Sequence, residues 1–143
     1  MSLYIDTSVL AAFYCPEPLS EAAEELLTST VEPTISSLAE VELYSAVARK
    51  VRMAEMDEHS ARAVLDAFCA HLEDGHYRRI AIRARHYDEA RRRIATFSVP
   101  LRSLDALHLA VALRERLMLV TADTRLAAAM RSFGGEVHLI SGF

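Results

Sequence analysis

Three aspartates in this sequence share a placement from which chemistry can be done. Asp6 closes the short apolar run Leu3-Tyr4-Ile5, Asp123 follows the apolar run Leu117 to Val120, and Asp105 falls in the first turn of a predicted helix. Taken singly, each reads as a helix cap or a first-turn acid, where a carboxylate is favoured beside the positive end of a helix. Glu42 is a fourth candidate, set between Val41 and Leu43 inside a helical stretch with no structural task of its own. If the strands pair in parallel, their carboxyl ends and the starts of the following helices share one edge, where ligands bind. Carboxylates gathered there must bind a cation or rise in pKa, because close like charges cannot all stay ionised. An oxygen-only donor set favours Mg²⁺ or Mn²⁺ over zinc.

Other constellations are weaker. Gly75, Gly134, Gly135 and Gly142 are the only glycines, and none opens a helix after a strand as a phosphate-cradling loop requires. The six histidines lack paired metal spacing. Asp105 and His108 stand three residues apart on one helical face, either as a ligand pair or, the blander reading, with His108 a semi-buried support for Asp105. Serine and cysteine nucleophiles lack an identifiable base, and Arg91-Arg92-Arg93 fans around a helix.

The elements that must position these acids alternate. Strands are predicted at Leu3 to Ile5, Thr34 to Ser36, Ile80 to Ile82, Leu117 to Val120 and Val137 to Ile140. Between them, Asp6-Thr7-Ser8 caps the helix over Val9 to Tyr14, a second helix follows from Ser20, and Ser37-Leu38-Ala39-Glu40 has the form of a capping box opening a helix to Arg52. The box would occupy Glu40 and leave Glu42 unassigned. Asp57 is an expected N-cap for a helix that ends near Gly75 and forms a hairpin with its predecessor. Tyr87, Ala90, Ile94 and Phe97 read as an apolar stripe; Ser103 is expected to cap a helix with Leu104, Leu107 and Val111 inward; and a last helix ends at Gly134-Gly135. The pattern is α/β, with a mainly parallel sheet covered on both faces, and residues 1–143 read as one domain.

The 143 residues carry a formal charge of −4, which at first argues against a nucleic-acid partner. The charges are segregated, however. The first 33 residues hold six acids and no base, whereas Gly75 to Arg131 holds twelve arginines against five acids, so a polyanion can find a basic face. The longest apolar run, Val9 to Cys15, is seven residues, far below the roughly 20 that span a bilayer. With no basic segment before it, and with Cys15 and Cys69 isolated, a cytoplasmic, reduced protein with no membrane association is expected.

Tyr4-Ile5-Asp6-Thr7-Ser8-Val9-Leu10, the segment from Ser36-Ser37 to Glu42-Leu43, Leu104-Asp105-Ala106-Leu107-His108-Leu109-Ala110 and Leu119-Val120-Thr121-Ala122-Asp123 together resemble, in order and spacing, the four motifs of PIN-domain ribonucleases, the VapC-type toxins of bacterial toxin–antitoxin pairs in particular. The resemblance implies a three-layer α/β/α fold with about five short strands and a protruding helical hairpin. It implies that Asp6, Glu42, Asp105 and Asp123 form an acidic quartet holding one or two Mg²⁺ or Mn²⁺ ions, with Asp6 and Asp105 as the firmest ligands. Thr7 and Thr121 match positions whose hydroxyls help to hold metal or water. The implied activity is endoribonucleolytic, leaving a 5′-phosphate and a 3′-hydroxyl and inhibiting translation, with Arg102 a candidate phosphate contact. A small cognate antitoxin and a homodimer are the implied partners.

Two other readings remain at this point. A phosphatase of the haloacid dehalogenase kind would use Asp6 as a covalent nucleophile, but Ser8 stands where its second aspartate belongs and the sole lysine, Lys50, lies in a long helix. A catalytically silent binding module would retain the fold without needing all four acids.

Overall fold

Parallel pairing decides where every loop of this chain can go. The computed structural model describes residues 1–142. Strands β1 (Leu3–Ile5), β2 (Thr34–Ser36), β3 (Arg78–Ile80), β4 (Met118–Thr121) and β5 (Val137–Leu139) form one sheet in the order β3-β2-β1-β4-β5. Each neighbouring pair is parallel, so each connection must cross back over the sheet, and helices make these crossings. Helices α1 (Thr7–Tyr14) and α2 (Ser20–Thr28) link β1 to β2, while α3 (Ser37–Arg52) and α4 (Glu58–Glu73) link β2 to β3. Helices α5 (Ala84–Ile94) and α6 (Ser103–Arg114) lead to β4, and α7 (Thr124–Ser132) leads to β5.

The central strand separates two cores through its period of two. Ile5 packs with Val9, Leu10, Ile35, Leu43, Val47 and Phe68 on the α1–α4 side. Tyr4 packs with Leu109, Leu119, Leu126 and Met130 on the α6–α7 side. The result is the expected α/β/α layering, and the sheet is parallel throughout. Helices α3 and α4 pack on each other across residues 53–57, as expected of a hairpin, and Asp57 caps α4 by accepting the Ser60 N–H at 2.7 Å.

Several local expectations are corrected. Ser36, not Ser37, caps α3, its hydroxyl accepting the Ala39 N–H at 3.2 Å. Glu40 is therefore not in a capping box; it forms a two-pronged bond with Arg79, at 3.1 Å to Nε and 2.7 Å to Nη2. Ser37 accepts the Ile82 N–H instead. Strand β3 lies two residues earlier than expected because Arg78-Arg79-Ile80 matches Thr34-Ile35-Ser36 in register, and an edge strand tolerates outward arginines. The stripe on α5 is also different. Phe97 is 90% exposed, and the buried residues are His86, Glu89 and Ala90. Burial of the two polar groups is matched by pairing: His86 Nε2 lies 2.8 Å from Glu115, and Glu89 accepts bonds from Arg92 and Arg93. Arg102 rather than Ser103 is the α6 N-cap residue, and Leu104 is 49% exposed.

Phe68 ties the hairpin to the body of the protein, with its ring among Tyr14, Tyr44 and Tyr77. Phe68→Ala is expected to lower stability by about 3–5 kcal/mol, read as a lower midpoint in urea denaturation.

Candidate functional site

The order of the sheet reverses between β1 and β4, since the chain grows outward from β1 through β2 and β3 before returning to β4. The carboxyl ends of the strands at such a switch point border a cleft. Asp6 leaves β1 there as the α1 N-cap, and Asp123 leaves β4 as the α7 N-cap. Asp105 arrives from the third position of α6, and Glu42 from the second turn of α3.

Asp6 is 3% exposed and held from three directions. Its Oδ1 accepts the Ser8 hydroxyl at 2.6 Å and the Val9 N–H at 3.2 Å, and its Oδ2 accepts the Thr121 hydroxyl at 2.5 Å. Ser8 also accepts the Ala122 N–H at 2.9 Å, and Thr121 accepts the Asp123 N–H at 3.0 Å. The two hydroxyls therefore clamp the β4–α7 turn to the start of α1. Asp123 spends one oxygen on its own helix, with Oδ1 accepting from Arg125 N–H at 2.8 Å and Leu126 N–H at 3.2 Å.

Glu42 is held through Oε1 alone, by the Thr7 hydroxyl at 2.7 Å and His108 Nε2 at 2.5 Å. His108 is 3% exposed, and its Nδ1 lies 2.6 Å from the Tyr4 hydroxyl. It therefore supports Glu42 and not Asp105 as expected, and with both ring nitrogens engaged it is not a ligand partner of Asp105. Tyr4 and Ser8 were absent from the sequence-derived set. A tyrosine in a central strand signals a buried hydroxyl that must find a partner, whereas Ser8 carried no signal beyond capping.

The electrostatics follow from crowding. Burial pushes the Asp6 carboxyl above its ordinary range, despite the opposing pull of His108 and the three hydrogen bonds. Asp105 is also raised, by burial and then by Asp123 and Glu42, with His108 and Arg102 pulling the other way. For Glu42 burial acts upward, but the bonds from His108 and Thr7 outweigh it and leave the group below its usual value. Among the described residues, no group of three or more histidine, cysteine or acidic side chains is placed to hold a metal ion. A hard cation does not need such a group, since it typically keeps several waters and takes one or two carboxylates plus phosphate oxygens. Asp105 and Asp123 repel each other, and Asp105 carries the cost as a raised proton affinity.

A narrow cleft runs beside these acids, lined by Arg102, Asp105, Asp123 and Arg125 among others. Arg125 was not read from the sequence as a phosphate contact; its place two residues after Asp123 was the available signal. Wider depressions lie elsewhere, for example beside Phe13, His71 and Tyr77. Among the described residues no helix is long and apolar enough to cross a membrane, and Cys15 and Cys69 are free thiols.

The PIN domain family model matches residues 3–131. No curated protein matches the chain. Among solved structures, VapC20 of Mycobacterium tuberculosis, described as a sarcin-ricin loop cleaving toxin, is similar at 18% identity and a TM-score of 0.70, over 90% of this chain and 95% of that one. VapBC2 of Rickettsia felis, bound to a promoter DNA fragment, is similar at 18% identity and a TM-score of 0.70, over 99% of this chain and 100% of that one. FitAcB of Neisseria gonorrhoeae is similar at 19% identity and a TM-score of 0.68, over 94% and 95% of the two chains. At these identities the likeness is one of fold.

Because the folded-state values of Asp6 and Asp105 lie above the unfolded ones, ionising them costs stability. Their contribution is full below about pH 4, the unfolded aspartate range, and is lost as pH rises through the folded values. Asp105→Asn should accordingly raise the thermal midpoint of metal-free protein at neutral pH and leave it little changed below about pH 4, as read by circular dichroism at the two pH values.

Proposed function

The chain belongs to the PIN-domain family, and from that premise we propose that it is a Mg²⁺- or Mn²⁺-dependent endoribonuclease, the toxin of a toxin–antitoxin pair. What supports this reading is a cleft at the switch point lined by Asp105 and Asp123 with Arg102 and Arg125, with Asp6 tied to Thr121 next to it and Glu42 near enough for its charge to act on Asp105. The relatives point the same way, one being a toxin that cleaves the sarcin-ricin loop and another a VapBC pair.

Asp6 and Asp105 are the residues that would hold the cation, and Asp123 and Glu42 would complete its surroundings or orient a water through their free oxygens. A bound divalent ion supplies positive charge for the phosphoryl oxygens and makes a bound water more acidic. The Ser8 and Thr121 hydroxyls keep Asp6 from turning as charge shifts in the cleft. Arg102 and Arg125 would grip flanking phosphates and align the backbone for in-line attack. Single-stranded or looped RNA fits best, because only an unpaired backbone bends into a narrow carboxylate-lined cleft. A covalent phosphatase is disfavoured: Ser8 stands where its second aspartate belongs, and Lys50 sits by Glu17 and Glu55. A small antitoxin expressed beside the protein, and self-association into a homodimer, complete the proposal.

Cleavage of a loop-containing RNA should require Mg²⁺ or Mn²⁺, and Asp6→Asn or Asp105→Asn should remove it with the far-ultraviolet spectrum unchanged. Loss of a ligand exceeds the roughly 10–100-fold cost of losing a ligand's neighbour. Cleavage that survives both changes would sink the assignment. Arg102→Ala should weaken RNA binding uniformly across sequences and lower the salt slope of binding by about 0.7, measured by fluorescence anisotropy in the presence of Mg²⁺ with Asp105→Asn as the uncleaving background.

A further inference from the structure

Three buried polar groups and the half-buried Glu42 make a chain that the proposed reaction does not by itself require. Ser36 and Tyr4 are fully buried, His108 is nearly so, and the links run Ser36 Oγ to Tyr4 Oη at 2.7 Å, Tyr4 Oη to His108 Nδ1 at 2.6 Å and His108 Nε2 to Glu42 Oε1 at 2.5 Å. With a neutral His108 ring the direction of the chain follows from counting protons, and in the charged ring Nε2 donates to Glu42 just the same. Ser36 Oγ already accepts the Ala39 N–H, so its own proton goes to Tyr4 Oη. The Tyr4 proton then goes to Nδ1, and Nε2 carries the hydrogen donated to Glu42. The reverse direction would leave the buried Ser36 proton without an acceptor among the described residues and turn a bare Nε2 lone pair toward a carboxylate, which is costly.

We propose that His108 is a positioning residue for Glu42. The Ser36–Tyr4 hydroxyl pair fixes which ring nitrogen is protonated, and the Nε2–H bond, with the Thr7 hydroxyl, pins Oε1 so that Oε2, which accepts no bond from the described residues, stays available to a cation. The backbone at the start of α3 thereby sets the orientation of an acid two turns away in space, by way of the central strand and α6. A carboxylate held by an oriented imidazole binds metal more tightly than a free one, and loss of such a partner typically weakens binding about 10–100-fold.

The inference rests on the metal-dependent reading of the site, and its test reads metal binding separately from cleavage. Apparent Mn²⁺ affinity is measured without RNA, from the electron paramagnetic resonance signal of free Mn²⁺, for the full chain and its variants, each checked for folding by circular dichroism. His108→Asn keeps reach to Tyr4 but not to Glu42 and should weaken Mn²⁺ about tenfold. His108→Gln places an amide nitrogen near the Nε2 position and should restore most of the loss. Tyr4→Phe, which removes one oxygen and serves if His108→Asn does not fold, should weaken Mn²⁺ in the same direction. In a Glu42→Gln background, His108→Asn should cause no further loss. Parental Mn²⁺ affinity in folded His108→Asn or Tyr4→Phe, additive losses in the double variant, or no Mn²⁺ binding by the parent overturns the inference. A parent that binds Mn²⁺ but cuts no RNA defeats the nuclease reading alone, and the cycle still decides the role of His108.

Discussion

Repulsion among carboxylates at one edge of the sheet is the constraint around which this molecule is arranged. Parallel pairing of β2, β1 and β4 leaves no choice about it: the residues that follow these strands emerge side by side. The chain relieves the resulting strain in three ways. Asp6 and Asp123 cap helices and so face positive helix ends. Ser8, Thr7 and Thr121 direct hydroxyl protons at the acids. Glu42 receives His108 as a donor. Asp105 lies in the first turn of α6 but accepts no hydrogen bond from the described side chains, and together with Asp6 it retains an elevated affinity for protons. A cation would relieve what the protein leaves.

The same arrangement explains which acids are structural. Glu40 lies two residues from Glu42 on α3 but on another face, where Arg79 takes both of its oxygens. Glu89 and Glu115 are similarly consumed by arginines and by His86. Five of the twelve arginines between Gly75 and Arg131, namely Arg79, Arg85, Arg91, Arg92 and Arg93, are thus paired within the protein itself. Arg102 and Arg125 differ by lying beside the cleft, which makes position, and not regional net charge, the relevant measure for a polyanion.

Much of the frame was legible in the sequence because its signals are local. Strand–acid–helix junctions at Asp6 and Asp123 announce themselves through capping chemistry, and Asp57 does the same for the hairpin. The errors share a cause in long-range pairing. Ser36 rather than Ser37 caps α3 because the last residue of β2 is still held by the sheet, and β3 is placed by its register against β2, which no local pattern encodes. The α5 stripe failed since burial of His86 and Glu89 depends on partners contributed by Glu115 and by neighbouring arginines. The tie between His108 and Glu42 spans 66 positions and passes beside a tyrosine that the sequence presents only as part of an apolar strand.

Arg79, held by Glu40, has a meaning for the outer border of the sheet. Strand β3 has no neighbour on its far side, and it shows solvent two adjacent guanidinium groups, one of them anchored in place. Addition of another strand along that border would require stripping water from both cations and breaking the Arg79–Glu40 fork. Sheet extension is therefore discouraged on that side, and β5 is left as the edge without such a guard of adjacent arginines.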